Sequence, residues 1–183
     1  MKKTQNSKLK TQNYFIPCFI LAGGKSSRFG EDKANCFYKL QYNKCKKIFK
    51  NVYFVAKYKK FKNYPFFIEK FLVYAPVFAL EEIIKKYKKV FVLSVDTPFI
   101  KEKSLKKLLK QKAVAKNNPL IGYYDYTMLK KIKKSTLTNL KIFGINKKEL
   151  KIHKKELINI NKKEDLKANF PYFIRQRRKR NIY

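Results

Sequence analysis

The chain has 183 residues, 45% hydrophobic and 16% aromatic, which is enough for one sizeable core and excludes a disordered composition. Its formal charge of +34 predicts salt-dependent, nonspecific attraction to polyanions. The lysines nevertheless run end to end beside many Asn, Ile, Phe and Tyr, residues that share A/T-rich codons. Base composition is therefore the leading account of the charge, with a basic nucleic-acid-binding protein as the alternative.

In chain order, residues 1–13 are polar and read as a loose basic end. Phe15 to Leu21 predicts a buried strand. Lys33 to Lys50 predicts a helix, with Tyr38, Tyr42, Cys45 and Phe49 three or four apart. Val52 to Ala56 and Phe66 to Ile68 read as strands, Leu80 to Tyr87 as a helix, Val90 to Val95 as a buried strand and Ser104 to Leu109 as a helix. Ala113 and Val114 begin a further strand, with Leu120 to Tyr124 as its antiparallel neighbour. Tyr126 to Ile132 and Leu137 to Leu140 read as helical, Leu157 to Ile160 as a last strand and Lys162 to Asn169 as a closing helix. Strands alternating with helices imply an α/β fold of three layers, a Rossmann-like, mostly parallel sheet with helices on both faces. One domain over residues 14–174 is expected, with 1–13 and the arginine-rich 175–183 as basic ends.

Cys18, Cys36 and Cys45 are odd in number and lack C-x-x-C spacing, which argues against a disulfide framework or a zinc ribbon. The longest apolar run, Phe71 to Leu80, contains Pro76 and is too short to cross a bilayer. A cytoplasmic protein without a membrane partner is the expectation. The lone His153 lies in a lysine-rich stretch and is expected to be exposed.

Three of the five glycines, Gly23, Gly24 and Gly30, fall in LAGGKSSRFGEDK, directly after the first predicted strand. The segment also holds Arg28, the sole arginine before residue 175. Guanidinium offers a planar fork to phosphate oxygens where lysine offers a point charge. Glycines let consecutive N–H groups converge on an anion, and a strand entering such a loop before a helix is a common phosphate cradle. An ordinary Gly-Gly turn is the competing reading. Neither the Walker frame nor G-x-G-x-x-G fits this spacing. A second site follows Val90 to Val95, where Asp96, one of four aspartates, is delivered by an apolar strand. A lone carboxylate beyond a strand's carboxyl end suits Mg²⁺, which takes its remaining ligands from substrate phosphates. A simple turn aspartate is the alternative.

The glycine segment resembles the signature of molybdenum cofactor guanylyltransferases, the MobA-like proteins. Leu21, Ala22, Gly23, Gly24, Ser26, Arg28, Gly30, Asp32 and Lys33 match, and Phe29 stands where methionine is usual. Related cytidylyltransferases tend to carry alanine at the position of Gly23. The resemblance extends to Asp96-Thr97-Pro98-Phe99, where the family's aspartate binds magnesium. It continues through Pro119-Leu120-Ile121-Gly122, an architectural stretch, to LININKKEDL, where Asn159 and Asn161 stand at the family's paired asparagines. On a strand, residues two apart share a face, so both amides are expected to point at one ligand. There are departures. Ala75 and Ala79 replace both glycines of a G-P-L-x-G turn, the connection from Lys33 to the helix near Gln41 is short, and Asn161 is followed by lysines. The family's guanine-contacting aspartate has Glu69 as its nearest acidic counterpart.

The resemblance implies a nucleotide-diphospho-sugar transferase-like fold and transfer of GMP from GTP to the phosphate of molybdopterin or Mo-molybdopterin, releasing pyrophosphate. It assigns nucleotide binding to Leu21, Ala22, Gly23, Gly24, Lys25, Ser26, Lys33, Glu69 and Asp96. Catalysis falls to Arg28, Lys33 and Asp96, metal binding to Asp96, and acceptor binding to Asn159 and Asn161. Cofactor-delivery or molybdoenzyme chaperone proteins are possible partners. The alternatives are a related enzyme using CTP or a sugar phosphate, and an inactive carrier of the cofactor.

Overall fold

A computed structural model describes residues 14–23, 34–71, 73–161, 164–165 and 168–169. Seven strands form one sheet: β1 (Cys18–Leu21), β2 (Val52–Ala56), β3 (Phe66–Ile68), β4 (Lys89–Ser94), β5 (Val114–Ala115), β6 (Asn118–Asp125) and β7 (Glu149–Leu150). Their order is β3-β2-β1-β4-β6-β5-β7. β1 pairs in parallel with β2 on one side and β4 on the other. β6 runs antiparallel to both β4 and β5, while β7 is parallel to β5. Only β6 is therefore reversed among the described strands. The predicted mostly parallel sheet is present, including the antiparallel pairing of β5 with β6.

The period-two alternation of strand side chains builds two cores. Cys18, Ile20, Phe54, Phe91 and Leu93 face one layer, formed by α1 (Ala34–Lys46) and α3 (Glu102–Lys110). Phe19, Val55, Val90, Val92 and Tyr124 face the other, formed by α2 (Pro76–Tyr87) and α4 (Leu129–Leu137). Three layers result. Gly122 is required by packing within the sheet: a Cβ there would lie 2.5 Å from the Cα of Val114, its register partner on β5. This agrees with the architectural part expected of its segment.

β2 and β3 have the expected bounds. β1 is shorter than Phe15 to Leu21 because Pro17 precedes its first ladder residue. α2 begins a turn earlier than expected, since Pro76 occupies its first turn, where a missing N–H costs nothing. α1 starts at Ala34, so no separate connection precedes a helix near Gln41; Gln41 lies within it.

Two expectations are corrected. Leu137 to Leu140 is not a helix: α4 ends at Leu137, and Leu140 has φ 56°, outside the right-handed helical region. Leu157 to Ile160 is not a strand. A short 3₁₀ turn, Lys154–Glu156, precedes it, and Ile160 makes a backbone bond to the turn after β4 instead of a ladder. The last strand is β7, a two-residue segment whose glutamate hides it from any apolar-run criterion. Of the predicted closing helix, the described positions 164–165 and 168–169 are helical. The basic ends, 1–13 and 175–183, lie outside the described residues.

Candidate nucleotide site

The sheet reverses its winding direction between β1 and β4, and ligands in open α/β sheets bind beyond the carboxyl ends of strands at such a point. Here β1 delivers Leu21, Ala22 and Gly23, and β4 delivers Asp96. The two ends are stitched together: Val95 N–H donates to Leu21 O at 3.1 Å, and Ala22 N–H donates to Val55 O at 2.9 Å on the other side. The glycine segment thus leaves the sheet beside Asp96, as the sequence predicts. Its continuation, with Gly24, Lys25, Ser26, Arg28, Gly30, Asp32 and Lys33, lies outside the described residues.

A pocket of about 220 Å³ opens next to Gly23. Leu21, Gly23 and Val55 line it from the strand ends, and Tyr74, Ala75, Pro76 and Ala79 from the start of α2. Ala75 and Ala79 therefore both line this pocket. Glu69 is the acidic group in its wall. Its backbone N–H donates to Ala56 O at 3.0 Å, which seats it at the end of β2, and its Oε1 lies against Gly23. Burial pushes the Glu69 carboxyl above its ordinary value of 4.5. The nearby Lys57 ammonium pulls it back down, Glu82 raises it and Lys60 lowers it.

Two residues that sequence reasoning missed organise this wall. Lys57 Nζ lies 3.6 Å from Glu69 Oε2 and also donates to Phe71 O and, at 3.1 Å, to Val73 O, so it ties down the segment that runs into α2. Lys60 Nζ donates to Ala22 O at 2.9 Å, beside Gly23. The position of Lys57 just past β2, next to the glycine segment, was the available signal. In a chain with 46 Lys+Arg, a lysine carries no contrast.

Asp96 is 9% exposed. Ser94 Oγ donates to its Oδ1 at 2.5 Å, and its backbone carbonyl accepts from Ile160 N–H at 2.9 Å. That last bond brings the segment with Asn159 and Asn161 to the same end of the sheet. Both asparagines are exposed. The shared-face argument fails for them because the segment is not a strand. Asn159 Oδ1 accepts from Asn118 Nδ2 at 3.2 Å, whereas the Asn161 backbone N–H donates to Asp165 Oδ2 at 2.8 Å. His153 is exposed, and its Nδ1 accepts from Lys155 N–H.

Among the described residues no three His, Cys, Asp or Glu side chains gather as a metal cage. A single, hydrogen-bonded carboxylate of hard oxygen donors fits a divalent ion that completes its shell with substrate oxygens. No described helix is long and apolar enough to cross a membrane. No disulfide joins the described cysteines; Cys18 and Cys45 are buried against each other at 3.6 Å between sulfurs, and burial raises the Cys18 thiol.

Residues 18–128 match the MobA-like NTP transferase domain. A Campylobacter jejuni subsp. doylei relative, named molybdenum cofactor guanylyltransferase, is 38% identical over 157 residues, covering 74% of this chain and 82% of that protein. An Aquifex aeolicus relative named for the same activity is 35% identical over 178 residues, covering 82% and 88%. A solved Aquifex aeolicus structure superimposes with a TM-score of 0.68 at 31% identity, over 80% of this chain and 93% of that one. The molybdopterin-guanine dinucleotide biosynthesis protein A of Archaeoglobus fulgidus has a TM-score of 0.69 at 19% identity over 84% and 96%, a likeness of fold. With a glycine-bearing strand end beside Asp96 and a domain match across most of the sheet, this chain belongs to the MobA-like NTP transferase family.

Proposed function

We propose that this chain transfers GMP from GTP to the phosphate of molybdopterin and releases pyrophosphate, with residues 14–174 acting as one nucleotidyltransferase domain. The carrying observation is the junction of β1 and β4, where Val95 N–H meets Leu21 O and sets the glycine segment beside Asp96. The relatives named for this activity support the acceptor and the nucleotide.

The guanine enters the pocket beside Gly23. Guanine presents N1–H and an exocyclic amine as adjacent donors, and the ionised Glu69 carboxylate offers two acceptor oxygens. Lys57 holds that carboxylate in place and favours its charged form. The N–H groups of Gly23 and Gly24 receive the triphosphate, with Ser26 at the same segment. Arg28, Lys33 and Lys25 neutralise charge on the β- and γ-phosphates as they leave. Asp96, oriented by Ser94, would hold Mg²⁺, which would supply positive charge to screen the phosphate oxygens. Asn159 and Asn161 position the acceptor.

An oxygen of the molybdopterin phosphate attacks the α-phosphorus of GTP. A new phosphorus–oxygen bond forms, the bond to the α,β-bridging oxygen breaks, and pyrophosphate leaves with that electron pair. The residues named here act by positioning and electrostatics, as in other phosphoryl transfers, without a covalent enzyme intermediate.

The test is GTP binding with and without Mg²⁺, against ATP and CTP, in wild type and Asp96→Asn, at salt sufficient to suppress generic attraction to so cationic a chain. Selective, Mg²⁺-dependent GTP binding that Asp96→Asn abolishes is expected. With molybdopterin, the same variant should lose on the order of 10²-fold or more in kcat. Equal binding of all three nucleotides, indifferent to Asp96, would overturn the reading.

A further inference from the structure

The inward face of α1 carries two residues that its packing does not explain. Phe37 and Cys45 are apolar, yet between them Gln41 is fully buried and Lys44 is 2% exposed. An amide and an ammonium at such depth are costly unless their hydrogen bonds are met. Their bonds converge on one turn. Gln41 Nε2 donates to Thr97 O at 2.8 Å and to Ser94 O at 3.3 Å. Lys44 Nζ donates to Pro98 O at 2.9 Å and to Gln41 Oε1 at 2.8 Å, which fixes the amide's orientation. Residues 94–98 are the turn that presents Asp96. The carbonyls of Ser94, Thr97 and Pro98 lie at or beyond the end of β4, so side-chain donors take the place of ladder partners.

We propose that Gln41 and Lys44 are positioning residues for Asp96. They clamp its turn through the Ser94, Thr97 and Pro98 carbonyls, while Ile160 N–H holds the Asp96 carbonyl. The clamp is charge-assisted through Lys44 and aimed through Gln41. α1 begins at Ala34, immediately after the glycine segment, so one helix carries the chain leaving the phosphate-binding segment and also sets the carboxylate at the metal position. The buried pair thereby fixes the relation between the two halves of the site. Supporting groups behind a metal ligand change metal affinity by roughly 10- to 100-fold when lost. This inference rests on the proposed nucleotidyl transfer for its functional consequence, while the clamp itself is observable without substrate.

Gln41→Glu keeps the volume and still accepts from Lys44, but it cannot donate to Ser94 and Thr97. Lys44→Met keeps the apolar stem and removes the ammonium. Both variants would be compared with wild type for the Mg²⁺ concentration that half-saturates GTP binding by calorimetry, and for amide exchange at Val95, Asp96 and Thr97 without ligand. A rise of about tenfold or more in half-saturating Mg²⁺, with faster exchange at 95–97 and unchanged exchange in β1, is expected. A folded Gln41→Glu protein whose Mg²⁺ requirement stays within about twofold of wild type, or whose exchange at 95–97 is unaltered, would overturn the inference. That variant carries the test if Lys44→Met does not fold. A wild type with no Mg²⁺-dependent GTP binding would overturn the functional reading and this one together. Normal wild-type binding beside indifferent variants would overturn this one alone.

Discussion

The carboxylate of Glu69 rests against the backbone of Gly23: a Cβ on that glycine would stand 2.7 Å from Oε1, while the next atoms lie at 3.8 Å. The obstacle is the tip of a flexible side chain, so an added methyl displaces the carboxylate and leaves the strand intact.

Gly23→Ala is therefore expected to change recognition more than stability. Its Tm should stay within a few degrees of wild type, while preference for GTP over ATP falls roughly 10- to 100-fold, the worth of a lost charge-assisted hydrogen bond. Nucleotide titrations alongside thermal unfolding separate the two effects. A variant that unfolds yet keeps full GTP preference would refute the account.

The Lys57–Glu69 pair predicts a pH dependence. Burial raises the Glu69 carboxyl, so the folded chain holds that proton more tightly than the unfolded chain. Its stability contribution is complete below the unfolded value and is lost as pH rises through the raised folded one. Guanine recognition has the opposite sign, because it needs the ionised form and fails as pH falls through the raised value. Lys57→Met removes the group that lowers it, so GTP preference should be lost beginning at a higher pH than in wild type. Superimposable profiles of the GTP-to-ATP affinity ratio would exclude that role for Lys57.

Asn159, which we propose positions the acceptor, accepts from Asn118 at 3.2 Å. Asn159→Leu should raise the molybdopterin KM by about tenfold while GTP affinity is unchanged. Steady-state kinetics varying each substrate in turn would check this, and an equal loss for both substrates would point to general disorder of the site.

Glu156 is buried and accepts from Lys101 N–H at 3.0 Å, at the residue that opens α3, with Lys101 Nζ 3.6 Å from its other oxygen. Glu156→Ala leaves that helix start short of its acceptor. A cost of roughly 1–3 kcal/mol is expected, which for a chain of this size lowers Tm by a few degrees per kcal/mol. Calorimetry of the variant measures it, and an unchanged Tm would contradict it.

Much of this architecture is legible in the sequence because apolar runs and their breaks follow sheet physics. Val52–Ala56 and Phe66–Ile68 stand between polar stretches, and Pro76 and Pro98 punctuate element ends. Asp96 is conspicuous because carboxylates are rare here. Lys57 and Lys44 are inconspicuous for the reverse reason, since lysine is the background of the whole chain. Gln41 even argues against its own burial, as an amide on the inward stripe of a helix. The segment at Leu157 imitates a strand through its isoleucines, but its place is fixed by one bond to the turn at Asp96.

β1 is hydrogen-bonded along its length on both sides, to Val52–Val55 and to Phe91–Ser94. Its far neighbours are short edge strands, three residues in β3 and two in β7. Local opening begins where few bonds must break, so mild denaturant should loosen the chain from its rims inward. Glu69 directly follows β3, so the pocket wall beside Gly23 would loosen with that rim before the strand that feeds the glycine segment. A partly opened molecule would then lose its preference for guanine before it loses its hold on the phosphates, so base discrimination and nucleotide binding would fade at different denaturant concentrations.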